Sequence, residues 1–159
     1  MSLKKASSGR RAIPSRRDPL QLAFTYLSQR DRTAAQLTRY LQRQRVPDRT
    51  VRETVARCIE LGYLDDRAFA ARWAESRLQR RPMARLALEA ELLAKGFDEP
   101  LVVETLARLY ARGVERRLAG QVVRDQRGRG GNVSPVRLAS LLRQRGFDED
   151  LITDVIGVE

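Results

Sequence analysis

The sequence repeats itself at an interval of about 50 residues, and this repeat constrains the fold more than any other feature. Residues 88–106 match residues 138–156 at a constant offset of 50, including a glycine–phenylalanine pair at the same place in both copies. Residues 37–55 fit the same frame at an offset of 51, although the glycine–phenylalanine pair is replaced there. A unit of this length buries little apolar surface alone, so we expect neighbouring units to stack and share it.

Each unit carries the signals of three helices. Apolar residues recur at helical spacing, and no convincing alternating segment predicts a strand. Asp18-Pro19 predicts a capped helix start with a first-turn proline, and Thr33 with Gln36 predicts a capping box. The sequence therefore predicts an all-α protein of three tandem three-helix repeats (helix-turn-helix-like units) that form an elongated, curved array. The expected organisation is a basic flexible arm at 1–19 and repeats at 20–64, 65–112 and 113–159.

The chain is strongly basic, with 31 Lys and Arg against 20 Asp and Glu and a net charge of +11. Residues 1–19 carry +5 of this charge, so the remaining body is basic in its own right. Nearly all the cations are arginines, whose planar guanidinium grips phosphate or carboxylate in two places. This surplus indicates a polyanionic partner, either nucleic acid or an acidic protein surface.

Composition also argues against several classes of protein. The chain has no histidine and one cysteine, Cys58, so zinc sites of the usual kind, histidine general bases and intramolecular disulfides are not expected. We expect no cofactor, no enzyme activity and a reducing, cytoplasmic compartment. The longest apolar run is four residues, which predicts no membrane span and no signal peptide.

Two further groups of residues have a structural and a functional interpretation. The acidic clusters at 65–66, 98–99 and 148–150 stand at predicted helix starts, which favours capping over metal binding or catalysis. Tyr63, Phe69 and Trp73 are aromatic residues that could stack on bases, but aromatic side chains at helical spacing more often belong to a core.

Nine arginines of the second and third repeats are the candidate binding residues. Four flank the turn at Pro82, three before it and one after it. Four more follow one another along the seventh predicted helix, and one lies in the Gly-rich connector at 128–131. They are Arg77, Arg80, Arg81, Arg85, Arg116, Arg117, Arg124, Arg127 and Arg129. A solvated helix face is the simpler interpretation for any one of them. Together they predict a surface that positions a polyanion without reading its sequence.

Two segments closely resemble the RecX family of regulatory proteins. They are Gly-Tyr-Leu-Asp-Asp-Arg-Ala-Phe-Ala at 62–70 and Glu-Leu-Leu-Ala-Lys-Gly-Phe at 91–97, and the likeness extends from about Leu20 to the C-terminus. The chain departs from the family pattern at Pro82, where glycine is more usual, and in the Gly-rich connector.

The resemblance implies a modulator of the RecA recombinase. Proteins similar to RecX lie in the groove of the RecA–single-stranded DNA filament and lower its recombination, ATPase and co-protease activities. The partners expected on this basis are the RecA filament and, without sequence preference, single-stranded DNA; we expect no membrane association and a monomer. The alternative is a helix-turn-helix transcription regulator, since a three-helix unit resembles such a domain. Sequence-specific duplex binding at moderate salt would favour that alternative.

Overall fold

The computed structural model describes residues 18–129 and 133–157. Residues 1–17 of the predicted basic arm, residues 130–132, which include the end of the predicted connector, and the last two residues lie outside this range. The predicted all-helical class is confirmed, because the described residues form nine helices and no strand. The helices are α1 (Pro19–Ser28), α2 (Ala34–Arg43), α3 (Asp48–Glu60), α4 (Asp66–Arg80), α5 (Arg85–Lys95), α6 (Glu99–Leu109), α7 (Val114–Gly128), α8 (Pro135–Gln144) and α9 (Glu149–Gly157).

Several helix starts are capped as their sequences predict. The Asp18 carboxylate accepts a hydrogen bond from the Leu20 amide at 3.1 Å, and Thr33 and Gln36 form both bonds of a capping box. The Asp65 carboxylate likewise accepts from the backbone of α4. Asp98 occupies the cap position of α6, but its side chain makes no capping hydrogen bond, so the prediction for that residue is wrong.

The helices form three consecutive triplets, each with its own apolar core. The first unit (α1–α3) is centred on Leu37 and Leu41, the second (α4–α6) on Leu88 and Leu92, and the third (α7–α9) on the equivalent leucines of α8. All of these leucines are inaccessible or nearly so. Because each core draws almost entirely on its own triplet, the fold is a row of small units rather than one large core.

Equivalent hydrogen bonds hold each unit to the next. In the first joint, between the first and second units, the Thr33 hydroxyl donates to the carbonyl oxygen of Lys95 at 3.4 Å. In the second joint, between the second and third units, the Ala84 amide donates to the carbonyl oxygen of Arg145 at 2.9 Å. The donors lie 51 residues apart and the acceptors 50, so both joints use the same positions of the repeat.

A carboxylate contact is also repeated at the two joints. The Ala34 amide, the first of α2, donates to the Asp66 carboxylate of the second unit at 3.1 Å. The Arg85 amide, the first of α5, donates to the Glu115 carboxylate of the third unit at 2.6 Å. Amides in the first turn of a helix have no partner within it, and a carboxylate there also interacts favourably with the helix dipole. Each unit therefore caps a helix of the preceding one.

Glycine at the end of α5 and α8 permits this close approach. Gly96 and Gly146 adopt left-handed φ angles of 99° and 83°. A Cβ built on Gly96 would lie 3.3 Å from the Cβ of Ala35, and one built on Gly146 would lie 3.1 Å from the Cβ of Ala87. These contacts lie across the joints, so glycine serves both the helix ending and the packing of units. The phenylalanines that follow, Phe97 and Phe147, are buried.

Candidate polyanion-binding site

Four of the candidate arginines surround one cleft on the third unit. The cleft has a volume of about 350 Å³ and is lined mainly by α7 with a contribution from α9. We call it the α7 cleft; its lining residues are Gly113, Arg116, Arg117, Gly120, Val123, Arg124, Arg127 and Val155. The positions predicted to share a helix face therefore do meet around a single concave surface.

Helical spacing and one glycine give the α7 cleft its shape. Arg117, Gly120, Arg124 and Arg127 follow one another at intervals of three or four residues, which places them on one side of α7. Gly120 leaves room for its neighbour, because a Cβ at this position would lie 3.3 Å from a terminal nitrogen of Arg124. The Arg124 guanidinium can thus lie against the helix within the cleft.

Three arginines of the α7 cleft, Arg116, Arg117 and Arg124, are poorly neutralised by the described part of the protein. Arg116 pairs with Asp154 of α9 at 3.1 Å, but both side chains are more than half exposed, at 57% and 56%. An exposed pair of this kind contributes little to stability, so a phosphate can replace the carboxylate at low cost. Arg117 and Arg124 are exposed, and no carboxylate of the described residues lies within ion-pair distance of either. The cleft therefore presents guanidinium groups to solvent.

The arginines around Pro82 have more varied surroundings. Arg77 makes a bidentate ion pair with Glu91, at 2.6 and 2.7 Å, in which the two side chains are only 22% and 34% exposed. This hydrogen-bonded carboxylate raises the pKa of Arg77 and joins α4 to α5. The Nε of Arg80 donates to the carbonyl oxygen of Ser76 at 3.2 Å, and its side chain remains exposed. Arg77 is thus primarily a structural residue.

Arg85 lies apart from the α7 cleft, in a neighbouring cleft of about 380 Å³. Arg112 and Arg116 also line it, and Arg112 was not among the predicted residues. Glu115 and Asp148 contribute to the same walls, so the electrostatic character of this cleft is mixed. It is therefore less suited to a polyanion than the α7 cleft.

Arg145 is a further cation that the sequence analysis did not select. It is half-buried at the second joint, and its Nη1 donates to the carbonyl oxygen of Pro82 at 3.1 Å. Burial lowers the pKa of Arg145, and so do the nearby positive charges of Arg81, Arg129 and Arg77. Predicted residues at the ends of α4 and α7 therefore act electrostatically on an arginine that directly follows α8. The repeat contained a signal for this site, since Arg145 lies 50 residues after Lys95.

The aromatic residues divide between core and surface. Phe69 is buried, and Trp73 packs half-buried against the second core with the Lys95 amino group 4.9 Å from its ring centroid. Tyr63 is 58% exposed and lies beside Phe24 at a centroid distance of 4.7 Å. The core prediction therefore holds for Phe69, whereas for Tyr63 it is wrong.

Residues 18–129 and 133–157 contain neither a candidate membrane-spanning helix nor a candidate metal-binding group. No helix there has the length and apolar character needed to cross a membrane. No three His, Cys, Asp or Glu side chains in those ranges are grouped in a way that could hold a metal ion.

Sequence comparisons identify the relatives of this chain. Residues 20–58 match the model of the first three-helix domain of RecX, and residues 65–106 match that of its second three-helix domain. The regulatory protein RecX of Thermobifida fusca is 36% identical over 133 residues, which cover 82% of this chain and 72% of the relative. That of Streptomyces coelicolor is 32% identical over 147 residues, covering 88% and 78%.

Solved structures show the same architecture at lower sequence identity. A crystal structure of RecX from Lactobacillus salivarius superposes with a TM-score of 0.69 at 17% identity, covering 87% of this chain and 92% of the other. Another crystal structure of a regulatory protein RecX has a TM-score of 0.66 at 19% identity and covers 100% and 81%. With two matched domains and relatives above 30% identity along most of its length, this chain belongs to the RecX family of regulatory proteins.

Proposed function

We propose that this protein binds the RecA–single-stranded DNA filament and restrains its recombinase, ATPase and co-protease activities. Membership of the RecX family supports a regulatory role. The physical support is the α7 cleft, which presents exposed guanidinium groups on one side of a row of similar units. In this proposal the protein acts in the cytoplasm as a monomer, without cofactor or catalysis of its own.

A row of similar units suits a periodic target. The filament repeats the same protein face and the same stretch of phosphates along its groove, so several weak contacts can form together. Once one unit is bound, the others are held at high effective concentration near their own contacts. The arginines then bind acidic protein side chains or DNA phosphates by charge and by bidentate hydrogen bonds. A ligand that joins neighbouring protomers resists the changes in filament geometry that accompany ATP turnover.

Charge reversal in the α7 cleft tests the site. The variant carries Arg116→Glu, Arg117→Glu and Arg124→Glu, and its effect on the ATPase rate of RecA on single-stranded DNA is compared with that of the wild type. We expect inhibition to be abolished at concentrations where the wild type inhibits fully, because three attractive contacts become repulsive.

A matched control separates the site from net charge. Arg49→Glu, Arg52→Glu and Arg108→Glu make the same charge change at exposed positions of α3 and α6, outside the cleft. The control triple variant should still inhibit. Equal loss of inhibition in both variants, or inhibition retained by the cleft variant, would remove the α7 cleft from the binding surface.

Salt dependence distinguishes this proposal from a transcription regulator. Binding to single-stranded DNA through phosphates should weaken steeply with salt and show no preference between sequences. A regulator of the helix-turn-helix type would instead bind one duplex sequence far more tightly than others at moderate salt.

A further inference from the structure

Each joint between units places a basic residue at the same position. Lys95 and Arg145 directly precede the glycines that end α5 and α8. Their carbonyl oxygens accept the hydrogen bonds from Thr33 and Ala84 that join the units. The carbonyl group at both positions therefore accepts a hydrogen bond from the same position of the preceding unit, the Thr33 hydroxyl in one joint and the Ala84 amide in the other, and both side chains begin from equivalent points of the fold.

A second basic residue accompanies the first at each joint. Arg30 and Arg81, which lie 51 residues apart, follow the first helix of their respective units and are exposed. Burial lowers the pKa of Lys95, and the positive charges of Arg30 and Arg32 lower it further. Arg81 acts in the same direction on the pKa of Arg145 after burial, together with the more weakly acting arginines named above. Each joint therefore holds several cations that oppose one another.

The protein compensates these charges only in part. The Lys95 amino group lies 4.9 Å from the ring centroid of Trp73, and no described carboxylate is within ion-pair distance of it. The Nε of Arg145 is buried without a hydrogen-bond partner among the described residues, and the negative charge of Asp125 only partly offsets the effect of the nearby arginines on its pKa. Partly buried cations that lack counter-ions are costly, and an anion bound between them removes that cost.

We propose that the two joints are equivalent phosphate-binding sites for single-stranded nucleic acid, formed by Arg30 and Lys95 in the first and by Arg81 and Arg145 in the second. These sites would be contacts additional to the α7 cleft, and the proposal rests on the part of the proposed function in which the protein binds single-stranded DNA. A nucleic-acid phosphate suits such a site because its two non-bridging oxygens can accept hydrogen bonds from two cations at once, and because the same group recurs along the strand. Two sites at equivalent positions one repeat apart also match a polymer whose charge recurs regularly along its length.

The test measures binding of fluorescein-labelled oligo(dT) by anisotropy over a range of salt concentrations, without RecA. Arg30→Gln and Arg81→Gln remove one exposed cation from the first and second joints, and a double variant combines them. Arg52→Gln and Arg108→Gln, singly and together, are the matched controls, since they remove the same charge from exposed positions away from both joints. Circular dichroism and thermal unfolding verify that every variant keeps its helices.

The two joints should contribute equally and independently to the affinity for oligo(dT) and to its salt dependence. Each joint variant should weaken binding about five- to tenfold at moderate salt and reduce the slope of log K against log salt by about 0.7, the value for one phosphate contact on a single strand. The double variant should reduce the slope by about 1.4. The controls should leave affinity and slope close to those of the wild type.

Two outcomes would overturn the proposal: joint variants that bind DNA like the controls, and a loss confined to one joint. If the first outcome is accompanied by weaker binding of the joint variants to RecA alone, the occupant is an acidic protein surface. The result is separable from the proposed function. If the wild type inhibits RecA but the joint variants bind DNA normally, only the phosphate sites are disproved. If the joint variants bind DNA more weakly than the controls but the wild type does not inhibit RecA, only the RecA role is disproved.

Discussion

Replacing Gly146 with alanine tests whether the joints are as closely packed as the structure indicates. Gly146 has a φ of 83°, and a Cβ there would lie 3.1 Å from the Cβ of Ala87 and 3.6 Å from that of Ala84. Both neighbouring atoms are attached directly to the backbone around the start of α5 and cannot rotate away. The new methyl group can therefore be accommodated only if the second and third units move apart.

Gly62 provides the matched control for this substitution. Its φ of 76° is nearly the same, but a Cβ at Gly62 would meet nothing within 4 Å. The left-handed conformation costs an alanine about 1–2 kcal/mol, partly offset by the lower entropy of its unfolded chain. Overpacking a close contact adds about 1–3 kcal/mol. We therefore expect Gly62→Ala to lose about 1 kcal/mol of unfolding free energy and Gly146→Ala about 2–4 kcal/mol.

Urea unfolding followed by far-ultraviolet circular dichroism measures the difference. Gly96→Ala should fall between the two, because one of its three close neighbours, a terminal nitrogen of Arg39, is the end of a long side chain that can move, whereas the Thr33 hydroxyl and the Cβ of Ala35 are held in place. Amide hydrogen exchange should show that Gly146→Ala loses protection mainly around the second joint. Equal losses for Gly62→Ala and Gly146→Ala would refute the close packing of the units.

Three other substitutions test particular contacts by the same unfolding measurement. Tyr110→Phe removes the hydroxyl that donates to the carbonyl oxygen of Met83 at 2.9 Å and should cost about 1–3 kcal/mol; no change would mean that water replaces the bond. Arg45→Gly should stabilise the protein by about 0.5–1 kcal/mol, because Arg45 is exposed with a left-handed φ of 60°, and a loss would contradict this account of strain. Burial is the main cause that raises the pKa of Asp66 above its usual value, so its contribution to stability decreases as pH rises from about 3.8 through the folded-state pKa. Asp66→Asn keeps an oxygen for the Ala34 amide, and it should therefore gain stability relative to the wild type between pH 4 and pH 7; a pH-independent difference would contradict the burial effect.

Local features of the fold could be predicted from sequence because they depend on neighbouring residues. The capping box at Thr33 and the helix ends at Gly96 and Gly146 follow from backbone chemistry within a few positions. The internal repeat extended this local information to the whole chain, since one recognised unit predicted the others. In the first unit, Arg45 adopts the left-handed conformation that glycine adopts in the later units, and the repeat pattern alone did not single out this residue.

The sequence could predict which residues belong to the functional surface, but not their ion pairs, neighbours or exposure. Helical spacing sufficed for the α7 cleft, because its arginines lie on one helix. It could not reveal that Arg77 is paired with Glu91, since this contact depends on how α4 packs against α5. Arg145 was missed for a similar reason, because its neighbours come from other helices. Exposure of Tyr63 likewise depends on the path of the chain between units.

The most direct test of the functional account is the ATPase rate of RecA on single-stranded DNA, titrated with the wild-type protein at physiological salt. The account predicts that ATP hydrolysis falls to a low plateau as the protein is added, with no effect when DNA is omitted and no dependence on DNA sequence. An ATPase rate that stays constant up to a large excess of the protein over RecA would contradict it.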